Sequence, residues 1–176
     1  MSFAFPEWEK FAVQQRFKTG CIPTGYEMLL RAAGAQGIDF ETFQDEFDLD
    51  KSKKPMERPK NDFVSVADAV RKKYPGVNFK RKCFPQGEGA KKLEFVEDRI
   101  AKKWPVLVSI ALKPFGKPGG YHIMPVVDAT DGELTLLYKV ESNGKKRTFR
   151  LRKGDFVQIH DTYQGGDDVA WLEGWE

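Results

Sequence analysis

Cysteine and histidine are scarce in this chain, with two of each among 176 residues, and the scarcity narrows its chemistry. Cys21 and Cys83 stand 62 positions apart. That is neither a disulfide framework nor a metal-ligand spacing, so a reducing compartment fits and no metal or other cofactor is expected. No run of 18 apolar residues occurs, and the opening MSFAFPEWEK has neither a basic start nor an apolar stretch. Nothing is therefore expected to enter or cross a membrane, and a cytoplasmic location is expected. A phosphate-cradling Gly-rich loop, a Ser nucleophile elbow and a zinc-binding cluster are all missing, which removes support for nucleotide, α/β-hydrolase and metallopeptidase chemistry. Charge of one sign is also scant, at +3 net. The basic clusters at 71–73, 80–82 and 145–147 are interleaved with acids and lack aromatic partners, so they read as solvated faces and no nucleic-acid partner is expected.

What is present is a core. The chain is 40% hydrophobic and 31% charged, with 14 Phe and 4 Trp, and a chain of this length hides about 70% of its unfolded surface. The composition predicts one domain over 1–176, with a helical part over about 1–103 and a sheet part over about 104–176. From Pro23 to Gly34, PTGYEMLLRAAG predicts a helix with Met28, Leu29, Ala32 and Ala33 on its buried stripe. Asp39 is placed to cap a short helix carrying Phe40, Phe43 and Phe47, and the following KSKKPMERPKND reads as a polar, Pro-broken loop. Ser65 is placed to cap a helix carrying Val66, Ala69 and Val70; VNFKRKCF predicts an edge strand on which Cys83 is a packed small residue. Leu93, Val96 and Ile100 mark a helix that ends before Pro105.

The second half changes period. PVLVSIAL is a continuous apolar run, the pattern of a strand covered on both faces. HIMPVVD, ELTLLYKVES and KKRTFRLR follow, joined by Asp131-Gly132 and Asn143-Gly144 turns, and predict an antiparallel meander. A short helix near Asp155 to His160 and a strand near Val169 to Leu172 complete an α+β class, a helical layer on a twisted sheet.

Cys21 is the first candidate for chemistry. It precedes a helix whose start Pro23 fixes, so its thiol faces unpaired N–H groups and a helix dipole that favour a thiolate. Gln15 lies six positions earlier, and RFKTG between them is loop-like, so its amide can return to the same helix end as an oxyanion donor, with Gln14 as a rival. In GKPGGYHIMPVV a Gly/Pro loop delivers His122 to the start of a strand, a suitable place for a general base. His160, in the charged tail beside Asp161, is assigned a structural role.

These segments resemble papain-like cysteine peptidases, and most of all the bacterial branch related to bacteriocin-leader-processing peptidases. QRFKTGCIPTGYEML is similar to that branch's Gln, spacer, Cys-Gly-Pro and Met/Leu-rich helix through Gln15, Cys21, Pro23, Met28 and Leu29, with Ile22 where Gly is usual. PVLVSIAL, the Gly-rich loop and His122 resemble the family's histidine block, and RKGDF its closing segment, so the likeness runs over about residues 11 to 172. It implies a papain-like fold, an N-terminal helical lobe with the nucleophile helix packed on a C-terminal antiparallel sheet. It also implies a peptide or protein substrate, with Cys21 as nucleophile, His122 as proton shuttle and Gln15 in the oxyanion hole. The family's orienting Asp or Asn falls here on Tyr138, followed by Lys139. Asp128 is six strand residues from His122, about 20 Å away and too far. Glu141 reaches only if a bulge shifts the register, for which Pro125 is a candidate cause. Two readings therefore stand: a thiol hydrolase acting on a peptide or isopeptide bond, or a catalytically inactive papain-like module that binds a peptide or partner protein.

Overall fold

The computed structural model describes residues 3–4, 7–47, 62–117, 120–163 and 167–175. Most of the expected polar loop after residue 50 and Pro118-Gly119 of the Gly/Pro loop lie outside them. The described chain has helices α1 (Cys21–Ala32), α2 (Phe63–Lys73), α3 (Gly89–Ala101) and α4 (Lys153–Tyr163). Its strands are β1 (Phe3–Ala4), β2 (Val77–Phe84), β3 (Val106–Ala111), β4 (Tyr121–Ala129), β5 (Glu133–Val140), β6 (Lys146–Arg152) and β7 (Asp167–Trp175). The sheet runs β2-β7-β3-β4-β5-β6, with β1 paired to β4, and its ladders are antiparallel.

β3 sits centrally because all six of its residues are buried, and their alternation splits the core in two. Val106, Val108 and Ile110 join Val96 of α3 and Phe156 and Ile159 of α4. Leu107 faces the other way, with Tyr26, Leu29 and Leu30 of α1 and Phe63, Val66 and Val70 of α2. Helices therefore lie on both faces, as a strand apolar on both sides needs both covered. The two predicted parts also interleave: β2 is drawn from the helical stretch to the sheet edge, and α4 lies within the sheet stretch.

Local differences have local causes. α1 begins at Cys21 and buries Tyr26, Glu27, Leu29 and Leu30, so the buried stripe is rotated away from Ala33, which is exposed. A Cβ on Gly25 would lie 2.8 Å from Leu107 Cδ1, so glycine lets α1 approach β3 closely. Asp62, not Ser65, caps α2; its carboxylate accepts the Ser65 N–H at 2.9 Å and the Ser65 hydroxyl at 2.8 Å. Asp39 accepts from Glu41 N–H and the Thr42 hydroxyl, yet residues 40–44 form turns and only Asp45–Phe47 a short 3-10 turn, with Phe43 and Phe47 buried. Cys83 is exposed rather than packed; its thiol donates to the Asp168 carboxylate and receives Arg81 Nη1 at 3.0 Å.

Candidate active site

Cys21 is the first residue of α1, whose N-cap Gly20 offers no side-chain cap. Cys21 packs against the buried cluster that contains Ile123 of β4, the residue after His122, and the backbone N–H groups of Ile123, Ile22 and Cys21 itself act to lower its pKa. Burial nevertheless outweighs these donors and pushes the Cys21 thiol above its ordinary 9.0. α1 reaches β4 because Tyr26, Leu29 and Leu30 pack into the same core as Leu107 and Ile123.

His122 stands near the start of β4, half-buried, where the ladder to β5 is interrupted. β4 pairs with β5 at Val126, Asp128 and Ala129, with a register shift between Val126 and Asp128, and Pro125 has no N–H to extend it. A second irregularity falls between Leu137 and Lys139 of β5, so Tyr138 is an extra residue opposite β6. Into this interruption the imidazole Nε2–H donates to the main-chain carbonyl of Tyr138 at 2.8 Å. A carbonyl only accepts, so this bond fixes the Nε2–H tautomer and leaves Nδ1 with a lone pair. The Tyr138 ring meets the imidazole edge-on at 5.3 Å. Burial lowers the His122 pKa below 6.5, more than the Tyr138 carbonyl raises it. Thiol and imidazole are both biased toward their uncharged forms.

The Gln15 amide is engaged within its own loop, donating to Phe17 O at 2.7 Å and Lys18 O at 2.9 Å. The loop that carries it is held by a residue sequence reasoning missed. Gln44 is 1% exposed; its Oε1 accepts Arg16 N–H at 2.9 Å, and its Nε2 donates to Gln14 O at 3.0 Å. It therefore grips the backbone on each side of Gln15. Gln44 is tied in turn to α1, accepting from the Thr24 hydroxyl at 2.9 Å and donating to Glu27 at 2.7 Å. Glu27, 1% exposed, is paired with Arg31 at 2.9 Å. No signal short of the fold marks Gln44, because its partners are up to 30 positions away.

Gln15, His122, Tyr138 and Glu141 all line a cleft of about 760 Å3 between residues 14–18 and the β5–β6 hairpin. Gln14 lines it too, while Cys21 is not among the lining residues. Glu141 is not brought to the imidazole: its carboxylate bonds Arg147 Nε at 2.9 Å, which holds its pKa below the ordinary range. His160 is buried on α4 and donates Nε2–H to Pro85 O at 2.9 Å, far from the cleft lining. Among the described residues no group of three or more His, Cys, Asp or Glu could hold a metal ion, and no helix is long and apolar enough to cross a membrane.

No family model matches the chain, and no curated protein matches it. The fold is matched by a crystal structure described as that of a candidate C39-like peptidase from Bacillus anthracis. It aligns with a TM-score of 0.60 over 100% of each chain, at 12% identity. Helices packed on an antiparallel sheet, with α1 opening at Cys21 beside the β4 strand of His122, thus have the α+β architecture of the papain-like fold.

Proposed function

We propose that the protein is a cysteine peptidase-like thiol hydrolase that cleaves a peptide or isopeptide bond by acyl transfer through Cys21. The observation that carries this reading is Cys21 at the open end of α1, packed against the core cluster that holds Ile123, one residue from an imidazole held by Tyr138 O. Because burial favours the uncharged pair, the thiol proton moves to His122 Nδ1 as sulfur attacks the carbonyl carbon, rather than beforehand. The tetrahedral oxyanion takes the Cys21 N–H and the Gln15 amide, which exchanges its Phe17 and Lys18 carbonyls for the new charge. The imidazolium then protonates the leaving nitrogen. Water, deprotonated by the same Nδ1, attacks the thioester, and the acid is released with the thiol restored.

The resemblance through Gln15, Cys21, Pro23, Met28 and Leu29 to the bacteriocin-leader-processing branch favours a peptide substrate, and a bacterial cytoplasm is the setting it suits. Replacing Cys21 by Ala is expected to abolish cleavage of a peptide mixture while the protein stays folded; unchanged turnover ends this reading. A second reading has its own observation. The engaged Gln15 amide and the uncharged thiol suit a catalytically inactive module that binds a peptide or partner protein in the same cleft.

A further inference from the structure

The cleft beside His122 has two walls, the 14–18 loop and the 138–143 hairpin, and their charges do not balance. Four charged residues line it: Arg16, Lys18, Lys139 and Glu141. Arg16 is matched from outside by Asp45 at 3.1 Å, and Glu141 by Arg147 at 2.9 Å. Among the described residues Lys18 and Lys139, one on each wall, make no ion pair. A third ammonium, that of Lys117, lies 4.7 Å from the centroid of the Tyr138 ring that floors the site. The only carboxylate in the lining is therefore paired with Arg147, while two lysines of the lining have no ion-pair partner among the described residues. Walls of one sign around a recess focus the potential within it.

We propose that this cleft selects peptides carrying aspartate or glutamate close to the residue that lies against His122, with Lys18 and Lys139 receiving the carboxylates. The proposal rests on reading the cleft as the peptide groove. It does not need the thiol to be reactive. Lys18 touches the site machinery only through its main-chain carbonyl, so its side chain is available for this role. Lys139 Nζ lies 5.8 Å from the centroid of the Tyr138 ring, the same ring that meets the His122 imidazole edge-on.

Short random-sequence peptides passed over immobilised Cys21→Ala protein and sequenced after elution test this without turnover. At low salt, peptides rich in Asp and Glu are expected to be enriched about three- to tenfold over those rich in Lys and Arg, the scale of two exposed ion pairs. The enrichment is expected to vanish at about 0.5 M salt, where screening is nearly complete, and to invert in a Lys18→Glu, Lys139→Glu double variant. Enrichment of basic peptides, equal retention of both classes, or retention of none overturns the proposal. Incubating the parent protein with the retained peptides separates the two readings. If acidic peptides are held but none is cut, the hydrolase reading falls and the charge selection stands; cleavage indifferent to acidic residues does the reverse.

Discussion

One cysteine and one histidine, Cys21 and His122, belong to the candidate site and the other two, Cys83 and His160, do not, and the division separates residue type from chemical role. Each imidazole donates Nε2–H to a main-chain carbonyl, His122 to Tyr138 and His160 to Pro85, at nearly the same distance. What differs is the surroundings. His122 borders an open cleft, and the next residue, Ile123, belongs to the core cluster against which Cys21 packs; His160 is enclosed on α4 at 1% exposure. The thiols differ similarly. Burial raises Cys21, whereas the Asp168 carboxylate is the main cause that raises the exposed Cys83. Holding an imidazole by a backbone acceptor is thus a structural device that becomes chemistry only where a nucleophile and a cleft meet it.

The sharpest way to break this comparison is to exchange the losses. Cys21→Ala is expected to lower turnover by at least about a thousandfold, the scale of losing a covalent nucleophile. Cys83→Ser is expected to leave it within about twofold, measured on the same cleaved peptides. The histidines should part company by assay: His122→Ala costs about 100- to 10,000-fold in kcat with little change in Tm. His160→Ala instead costs about 2–4 kcal/mol of stability through an emptied, partly polar site, read by denaturant unfolding, with kcat near that of the parent.

Gln44→Leu tests whether the loop carrying Gln15 matters beyond folding. It strips partners from Arg16 N–H, Gln14 O, Thr24 and Glu27, so a stability loss of about 3 kcal/mol is expected. With it goes a kcat loss of about ten- to a hundredfold and a nearly constant KM, as when an oxyanion donor is misplaced. A fall in stability alone would leave Gln44 purely structural. The smallest effect concerns titration. Iodoacetamide should alkylate Cys21 with a single rise above the ordinary thiol value of 9.0 and no shoulder below pH 7, because both Cys21 and His122 are held uncharged. Asp168→Asn is expected to lower the pKa of Cys83 and speed its alkylation near pH 8, leaving Cys21 as it was.

Legibility followed range in sequence. The start of α1 could be read from Pro23, the central β3 from an uninterrupted apolar run, and the meander from Asp131-Gly132 and Asn143-Gly144. Each depends on a few adjacent residues. The cap of α2 went to Asp62, three residues before Ser65, because the helix opens a turn earlier than its apolar stripe announces. Cys83 was misread because an edge strand exposes what alternation alone would bury. The Gln44 clamp was illegible for a deeper reason: burial of a glutamine is decided by partners on two distant segments, the 14–18 loop and α1. The partner of His122 was hidden in a different way, because every residue but proline presents the same backbone and no side chain announces which carbonyl will be used.

That backbone partner changes what substitution can do at this site. An orienting side chain can be deleted by one codon change; the oxygen of Tyr138 cannot, since the peptide unit survives replacement of the residue that supplies it. Drift at position 138 is free to reshape the cleft wall while the imidazole keeps its tautomer. What drift must not disturb is the pair of strand irregularities flanking it, at Val126/Asp128 and Leu137/Lys139. A search for relatives by sequence should accordingly weigh the spacing around these bulges above the identity of any third residue.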